Sequence, residues 1–307
     1  MAVFGYLFPG QGAQKKGMGK EFYDTFRSAA NIFDRADQIL KDCSVKGLCF
    51  EADESELRKT ENTQPALFTV SYAIYRVLVE EGFKGSVFAG HSLGEYTAAV
   101  AAGFINFEQA LPVVRKRGLL MRSCDPQQKG GMAAIIGASP QQVEQVCQET
   151  GEVYPANFNS PSQIVISGLK EKVQQAAQKL KSMGAKKTVV LNVGGPFHSP
   201  YMSEVTSELE KELNNIEWKK GEGILVSNAT AQLTDDPQII KKNLIMQLSH
   251  PVLWSESMGR LVGMSYLEYI EAGPGKVLKG LFKSISKKAK VYSVASPEDI
   301  QELRASS

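Results

Sequence analysis

The chain has 307 residues, 43% of them apolar and 22% charged, with a formal net charge of +2 at pH 7. This composition suits a globular protein with room for one large domain and a small one; it argues against nucleic acid as the main partner, and no apolar run approaches the roughly 20 residues of a membrane span. The four cysteines, Cys43, Cys49, Cys124 and Cys147, form no CxxC pair and lie near no histidine at metal-ligand spacing, so reduced thiols and no metal site are expected.

Met1 leads directly into an apolar run, Val3 to Phe8, with no basic region before it. The run reads as a buried first strand rather than a secretory signal, and a cytoplasmic location is expected. A Gly-rich loop follows, Pro9-Gly10-Gln11-Gly12-Ala13-Gln14. Lys15 stands where a dinucleotide-binding G-x-G-x-x-G needs its third glycine, so the loop's free N–H groups must serve something else. Helices are predicted from about Gly19 to Leu40 and from Ala66 to Glu80, after Gln64-Pro65.

Ser86 to Ala89 forms a second short strand, which runs into Gly90-His91-Ser92-Leu93-Gly94-Glu95 and an alanine-rich helical stretch, Tyr96 to Ala102. A serine between glycines at a strand–turn–helix junction is held exposed, with helix N–H groups and the positive end of the helix dipole aimed at the same spot. Ser92 is therefore a candidate nucleophile, though serine is also a favoured N-cap. In the next helix, Glu108 to Arg122, an apolar face of Ala110, Val113, Val114, Leu120 and Met121 has Arg117 in its middle. The spacing leaves two readings open: an arginine that snorkels out or pairs with a core acid, and a guanidinium turned into a pocket to hold a carboxylate.

After a polar linker, residues 125–131, the chain reads strand (132–136), helix (140–150), strands (153–157 and 163–167) joined by a turn (158–162), helix (170–183) and strand (187–193). This βαββαβ order is the ferredoxin-like pattern, inserted in a larger α/β unit with a mainly parallel sheet. Residues 1–127 and 195–307 are assigned to the large domain and 128–194 to the small one, with Gly194-Gly195-Pro196 as the hinge.

A serine nucleophile needs a base. His91 is adjacent to Ser92 and diverges from it, which suits a loop contact or the cleft wall. His250, before Pro251, reads as a turn residue. His198, between Pro196 and Pro200 at the domain junction, is the candidate base. No acid stands in a motif that would place it behind His198. Asp235 and Asp236 read as turn or cap residues, which leaves a neutral group such as a backbone carbonyl to orient the ring.

FPGQGAQ (8–14), TQPAL (63–67), GHSLGEY (90–96), RKRG (115–118), NFNSP (157–161), PFHSP (196–200), QLSHPVLW (247–254) and EAGPGKVL (271–278) occur in this order. Together they resemble the malonyl-CoA:acyl carrier protein transacylases of fatty acid synthesis. The resemblance implies an α/β-hydrolase-like core with a ferredoxin-like subdomain. It implies that Ser92 carries a malonyl ester, with His198 as base and the backbone N–H groups of Gln11 and Leu93 as oxyanion hole. Arg117 would clamp the malonyl carboxylate, and the Gln247 backbone carbonyl would hold the histidine ring. Asn159 would border the cleft, and Phe197 would crowd an α-methyl branch. No cofactor is implied, because the coenzyme A thioester is a substrate. The implied partner is an acidic, phosphopantetheinylated acyl carrier protein, for which Lys186, Lys187, Lys283, Lys287, Lys288 and Lys290 are candidate docking residues on an otherwise monomeric enzyme. A polyketide acyltransferase and a serine thioesterase are the alternatives. A non-catalytic relative would show damage at Ser92, His198 or Arg117, and all three are present.

Overall fold

The computed structural model describes residues 3–125, 127 and 129–306. Met1 and Ala2, read above as leading into the first strand, and Pro126 and Gln128 of the predicted linker lie outside the described residues, as does Ser307. Strand β1, Val3–Phe8, alternates in a way that explains its central place: Tyr6 and Phe8 enter one apolar cluster and Leu7 another, on opposite faces. It pairs in parallel with β2 (Lys84–Gly90) and with β9 (Glu268–Ala272). Beyond these lie β10 (Lys290–Val294) on β9 and β7 (Ile224–Val226) on β2, both parallel, and β8 (Leu233–Thr234), antiparallel on β7. The order is β10-β9-β1-β2-β7-β8. A second sheet holds β3 (Gly130–Ile136), β4 (Val153–Ser160), β5 (Gln163–Leu169) and β6 (Lys187–Leu191), all antiparallel, in the order β4-β5-β3-β6. Helices Pro140–Thr150 and Lys170–Ser182 cover one face of it, while Met132, Ala134 and Val165 join the main core. The protein is thus a mixed α/β chain with a mainly parallel sheet and a separate antiparallel one.

Several predicted boundaries shift. The first helical stretch is two helices, Lys20–Thr25 and Arg27–Ile39, broken where Phe26 is extended at φ −118°. The next helix begins at Thr60, not Ala66, and carries Pro65 inside it. Proline has no N–H to give the carbonyl four residues back; the Glu61 carbonyl instead accepts from Arg115 Nη1 at 2.6 Å. Strand β4 continues through Phe158 to Ser160, where a turn was expected, because an outside partner keeps it extended. Phe158 N–H donates to the Val252 carbonyl (2.8 Å) and Val252 N–H to the Ala156 carbonyl (2.9 Å), an isolated parallel bridge that ties β4 to the segment after helix Pro237–Gln247. Asp236 caps helix Pro237–Gln247, accepting from Gln238 N–H at 2.8 Å, and Asp235 pairs with Lys220. The four cysteines are unpaired. Among the described residues no helix is long and apolar enough to cross a membrane, and no cluster of metal-ligating side chains occurs.

Candidate active site

The end of β2 sets the geometry. A Cβ on Gly90 would lie 1.9 Å from the Gly94 carbonyl carbon, and one on Gly94 would lie 2.1 Å from the Phe8 carbonyl oxygen. Only glycines permit so tight a reversal against β1. Between them Ser92 takes a left-handed conformation, φ 51°, which is strained for a residue with a side chain. Asn228 pins the bend: its Oδ1 accepts from Ser92 N–H at 2.7 Å and its Nδ2 donates to the Gly90 carbonyl at 2.7 Å.

His198 is also left-handed, φ 56°, and buried in the Pro196–Pro200 loop. Its Nε2 lies 2.8 Å from Ser92 Oγ, and its Nδ1 lies 2.9 Å from the Gln247 backbone carbonyl. A carbonyl only accepts, so it fixes the tautomer: Nδ1 carries the hydrogen and Nε2 offers its lone pair to the serine hydroxyl. Burial, and then the charge of Arg117, push the His198 pKa down to about 3, so the ring is neutral and able to take a proton.

Arg117, on helix Phe107–Ser123, is only 1% exposed. Nη2 donates to Ser92 Oγ (3.2 Å) and Gln247 Oε1 (2.9 Å), Nη1 donates to Gln64 Oε1 (2.8 Å), and the Tyr96 ring lies 5.3 Å away. The Gln247 amide in turn donates to the Ser92 carbonyl at 2.8 Å and to Glu95 Oε2 at 2.7 Å. Burial raises the Glu95 pKa to about 7, against the opposing pull of Gln247, the Asn228 N–H and Arg117.

These groups surround a cavity of about 90 Å³ lined by Gln11, His91, Ser92, Leu93, Arg117 and His198, with Met132, Leu191 and Phe197 among its apolar walls. The Gly-rich loop reaches it because the His91 N–H donates to the Phe8 carbonyl at 3.0 Å, and Gln11 Nε2 reaches Thr60 Oγ1 at 3.3 Å. The N–H groups of Gln11 and Leu93 find no acceptor among the described residues. Of the remaining candidates, His91 lines the cavity and its Nε2 lies 2.7 Å from Asn159 Oδ1. Asn159 itself is not on the wall; Asn157 is. His250 is exposed, with Nδ1 2.9 Å from the Met246 carbonyl.

Gln64, Glu95 and Asn228 were not singled out in the sequence. Gln64 and Glu95 stand inside motifs already noted, TQPAL and GHSLGEY. Asn228 has no local signal, since its role exists only once β7 lies beside β2. The set as a whole provides an acceptor-activated hydroxyl, a neutral base, free N–H donors and a buried cation around one small space, which is what acyl transfer from a carboxylated acyl group requires.

Residues 5–297 match the family model described as the acyl transferase domain. The chain is 41% identical over 305 residues to the malonyl CoA-acyl carrier protein transacylase of Bacillus subtilis, covering 98% of this chain and 96% of that one. It is 39% identical to that of Staphylococcus aureus, covering 98% of each. Among solved structures, an acyl carrier protein S-malonyltransferase from Vibrio cholerae superposes with a TM-score of 0.94 at 36% identity, covering 98% of this chain and 100% of that one. A malonyl-transacylase in complex with its type II PKS acyl-carrier protein superposes with a TM-score of 0.96 at 35% identity, covering 100% of both. By sequence, fold and the grouping of residues around Ser92, the chain belongs to the acyl transferase domain family and, within it, to the malonyl CoA-acyl carrier protein transacylases.

Proposed function

We propose that the protein moves a malonyl group from malonyl-CoA to the phosphopantetheine thiol of an acyl carrier protein through an ester on Ser92. Ser92 Oγ attacks the thioester carbonyl as His198 Nε2 takes its proton. The N–H groups of Gln11 and Leu93 receive the developing oxyanion, a contribution typically worth about 10² to 10³ in rate per donor. The imidazolium returns the proton to the departing thiol of coenzyme A. The carrier's thiol then enters, and the same steps run in reverse on the ester. Arg117 holds the malonyl carboxylate, Gln247 orients His198 through its carbonyl, and Phe197 disfavours an α-methyl branch. His91 and Asn159 brace the wall. The chemistry needs no cofactor or metal.

One observation carries this reading: Ser92 Oγ lies 2.8 Å from a neutral imidazole nitrogen and 3.2 Å from a buried guanidinium. A base activates the hydroxyl, and a fixed cation beside it selects an acyl group with a negative tail. The strand–turn–helix at Ser92 supports a hydrolase-like core for residues 1–127 and 195–307. The β4-β5-β3-β6 order supports a ferredoxin-like unit for 128–194. We read the enzyme as a cytoplasmic monomer that serves fatty acid elongation, with the basic residues around Lys186 and Lys283 to Lys290 meeting the acidic carrier. The relative bound to a type II PKS carrier favours a second pathway for the same chemistry, polyketide assembly.

The test is intact-protein mass spectrometry after brief exposure to malonyl-CoA. One added malonyl group, mapped to the peptide holding Ser92 and discharged by holo carrier protein, is expected. Absence of the adduct, or its survival in Ser92→Ala, overturns the reading.

A further inference from the structure

A buried guanidinium is ordinarily matched by a carboxylate, because an unpaired charge is costly to keep from water. Arg117 departs from this. Its two firmest contacts are amide oxygens, Gln64 Oε1 at 2.8 Å and Gln247 Oε1 at 2.9 Å; Ser92 Oγ and the Tyr96 side chain, its ring 5.3 Å away, are its other neighbours, and all of these are uncharged groups. Its Nε has no hydrogen-bond partner among the described residues. It makes no ion pair among the described residues, although Glu95 belongs to the same network. Gln247 stands between the two, turning its NH₂ to Glu95 Oε2 at 2.7 Å and its oxygen to the arginine. Gln64 is oriented likewise, with Nε2 3.1 Å from the sulfur of Met121, so that its oxygen faces Nη1. Glutamate has the same shape as glutamine and would bond Arg117 more strongly, yet neither position holds one.

We infer that Gln64 and Gln247 are specificity-determining residues: as neutral acceptors they fix the position of Arg117 without cancelling its charge, which stays available for the substrate's carboxylate. The inference rests on the reading of Arg117 as the malonyl clamp. It adds that selectivity depends on the missing charge of its holders, and not only on the presence of the arginine.

The experiment compares Gln64→Glu, Gln64→Leu and Arg117→Ala with the parent, measuring acylation kcat/KM for malonyl-CoA and acetyl-CoA. Gln64→Glu places a carboxylate on Nη1. It is expected to lower malonyl kcat/KM by about 100-fold, mainly through KM, and to leave acetyl within about threefold. Gln64→Leu removes the bond and adds no charge; a loss of about tenfold or less is expected, with the malonyl preference kept. Gln64→Asp serves as a second carboxylate variant, with the same selective loss of malonyl kcat/KM expected, should Gln64→Glu not fold. If the carboxylate variants keep the malonyl preference, or if all the Gln64 variants lower both substrates equally, the inference is overturned. Arg117→Ala separates the two layers. A preference that survives in it overturns the clamp itself, whereas a preference lost there and kept in Gln64→Glu overturns only the role of the neutral holders.

Discussion

His198 is backed by the Gln247 carbonyl, 2.9 Å from Nδ1, at the place where serine hydrolases set a carboxylate. A carbonyl dipole stabilises an imidazolium less than a full negative charge does, and the nearby Arg117 opposes that imidazolium further. A thiol departs and attacks readily under such weak activation, whereas water needs more. Without carrier, the malonyl ester on Ser92 is therefore expected to hydrolyse at least about 100-fold more slowly than it transfers. Free malonate released from malonyl-CoA, timed with and without holo carrier, checks this; equal rates would instead mark the protein as a thioesterase.

The turn at Ser92 tolerates no side chain at its flanks. Both added Cβ atoms would meet backbone, at 1.9 Å for Gly90 and 2.1 Å for Gly94, so no rotamer change relieves them. Gly94→Ala is expected to destabilise the fold by about 3 kcal/mol or more and to cut kcat by at least roughly 100-fold. Chemical denaturation and acylation kinetics on the same sample test both effects. A variant of full stability and activity would show that the bend has room to relax.

Asn228 holds the turn at Ser92 from behind. Asn228→Ala leaves the Ser92 N–H and the Gly90 carbonyl without partners, at a cost of about 1–3 kcal/mol each. The residue touches none of the space where substrate sits, so kcat is expected to fall roughly 10- to 100-fold while the KM for malonyl-CoA changes little. A rise in KM alone would place Asn228 in binding instead of alignment.

Glu95 links stability to pH. Burial raises its pKa from 4.5 to about 7, so the folded protein keeps a proton that the unfolded chain has released within that window. The folded state consequently loses up to about 1.4 kcal/mol per pH unit there as pH rises. Glu95→Gln removes this loss, and its stability relative to the parent is expected to climb between pH 5 and 7. His198 acts with the opposite sign: its pKa is depressed from 6.5 to about 3, so it favours unfolding as pH falls through that range. That contribution is common to both proteins and cancels in the difference. Urea unfolding at several pH values measures the slope; a flat difference would mean that Glu95 stays charged throughout.

Local patterns singled out Ser92 and His198, a serine between glycines and a histidine between prolines; at Arg117 the apolar helical face left two readings open, and only the family resemblance chose between them. The small sheet was legible because its strands and helices alternate at short range. The later third of the chain was not. β7 and β8 are only three and two residues long; β7 is a strand because it lies on the edge of β2, and β8 because it lies on β7. Pro65 hid the start of its helix, since the carbonyl it leaves free is satisfied by Arg115 from another helix. Asn228 and the side chain of Gln247 went unread for the same reason: their partners lie 136 and 130 residues away in sequence.

The stitch between Asn157 and Val252 couples one wall of the cleft to the support of its histidine. It fastens the small sheet, whose Asn157 lines the cavity, to the stretch just beyond Gln247, whose carbonyl meets His198. A displacement of the small sheet is therefore expected to pull on the segment that supports the imidazole, so that cavity wall and histidine shift together.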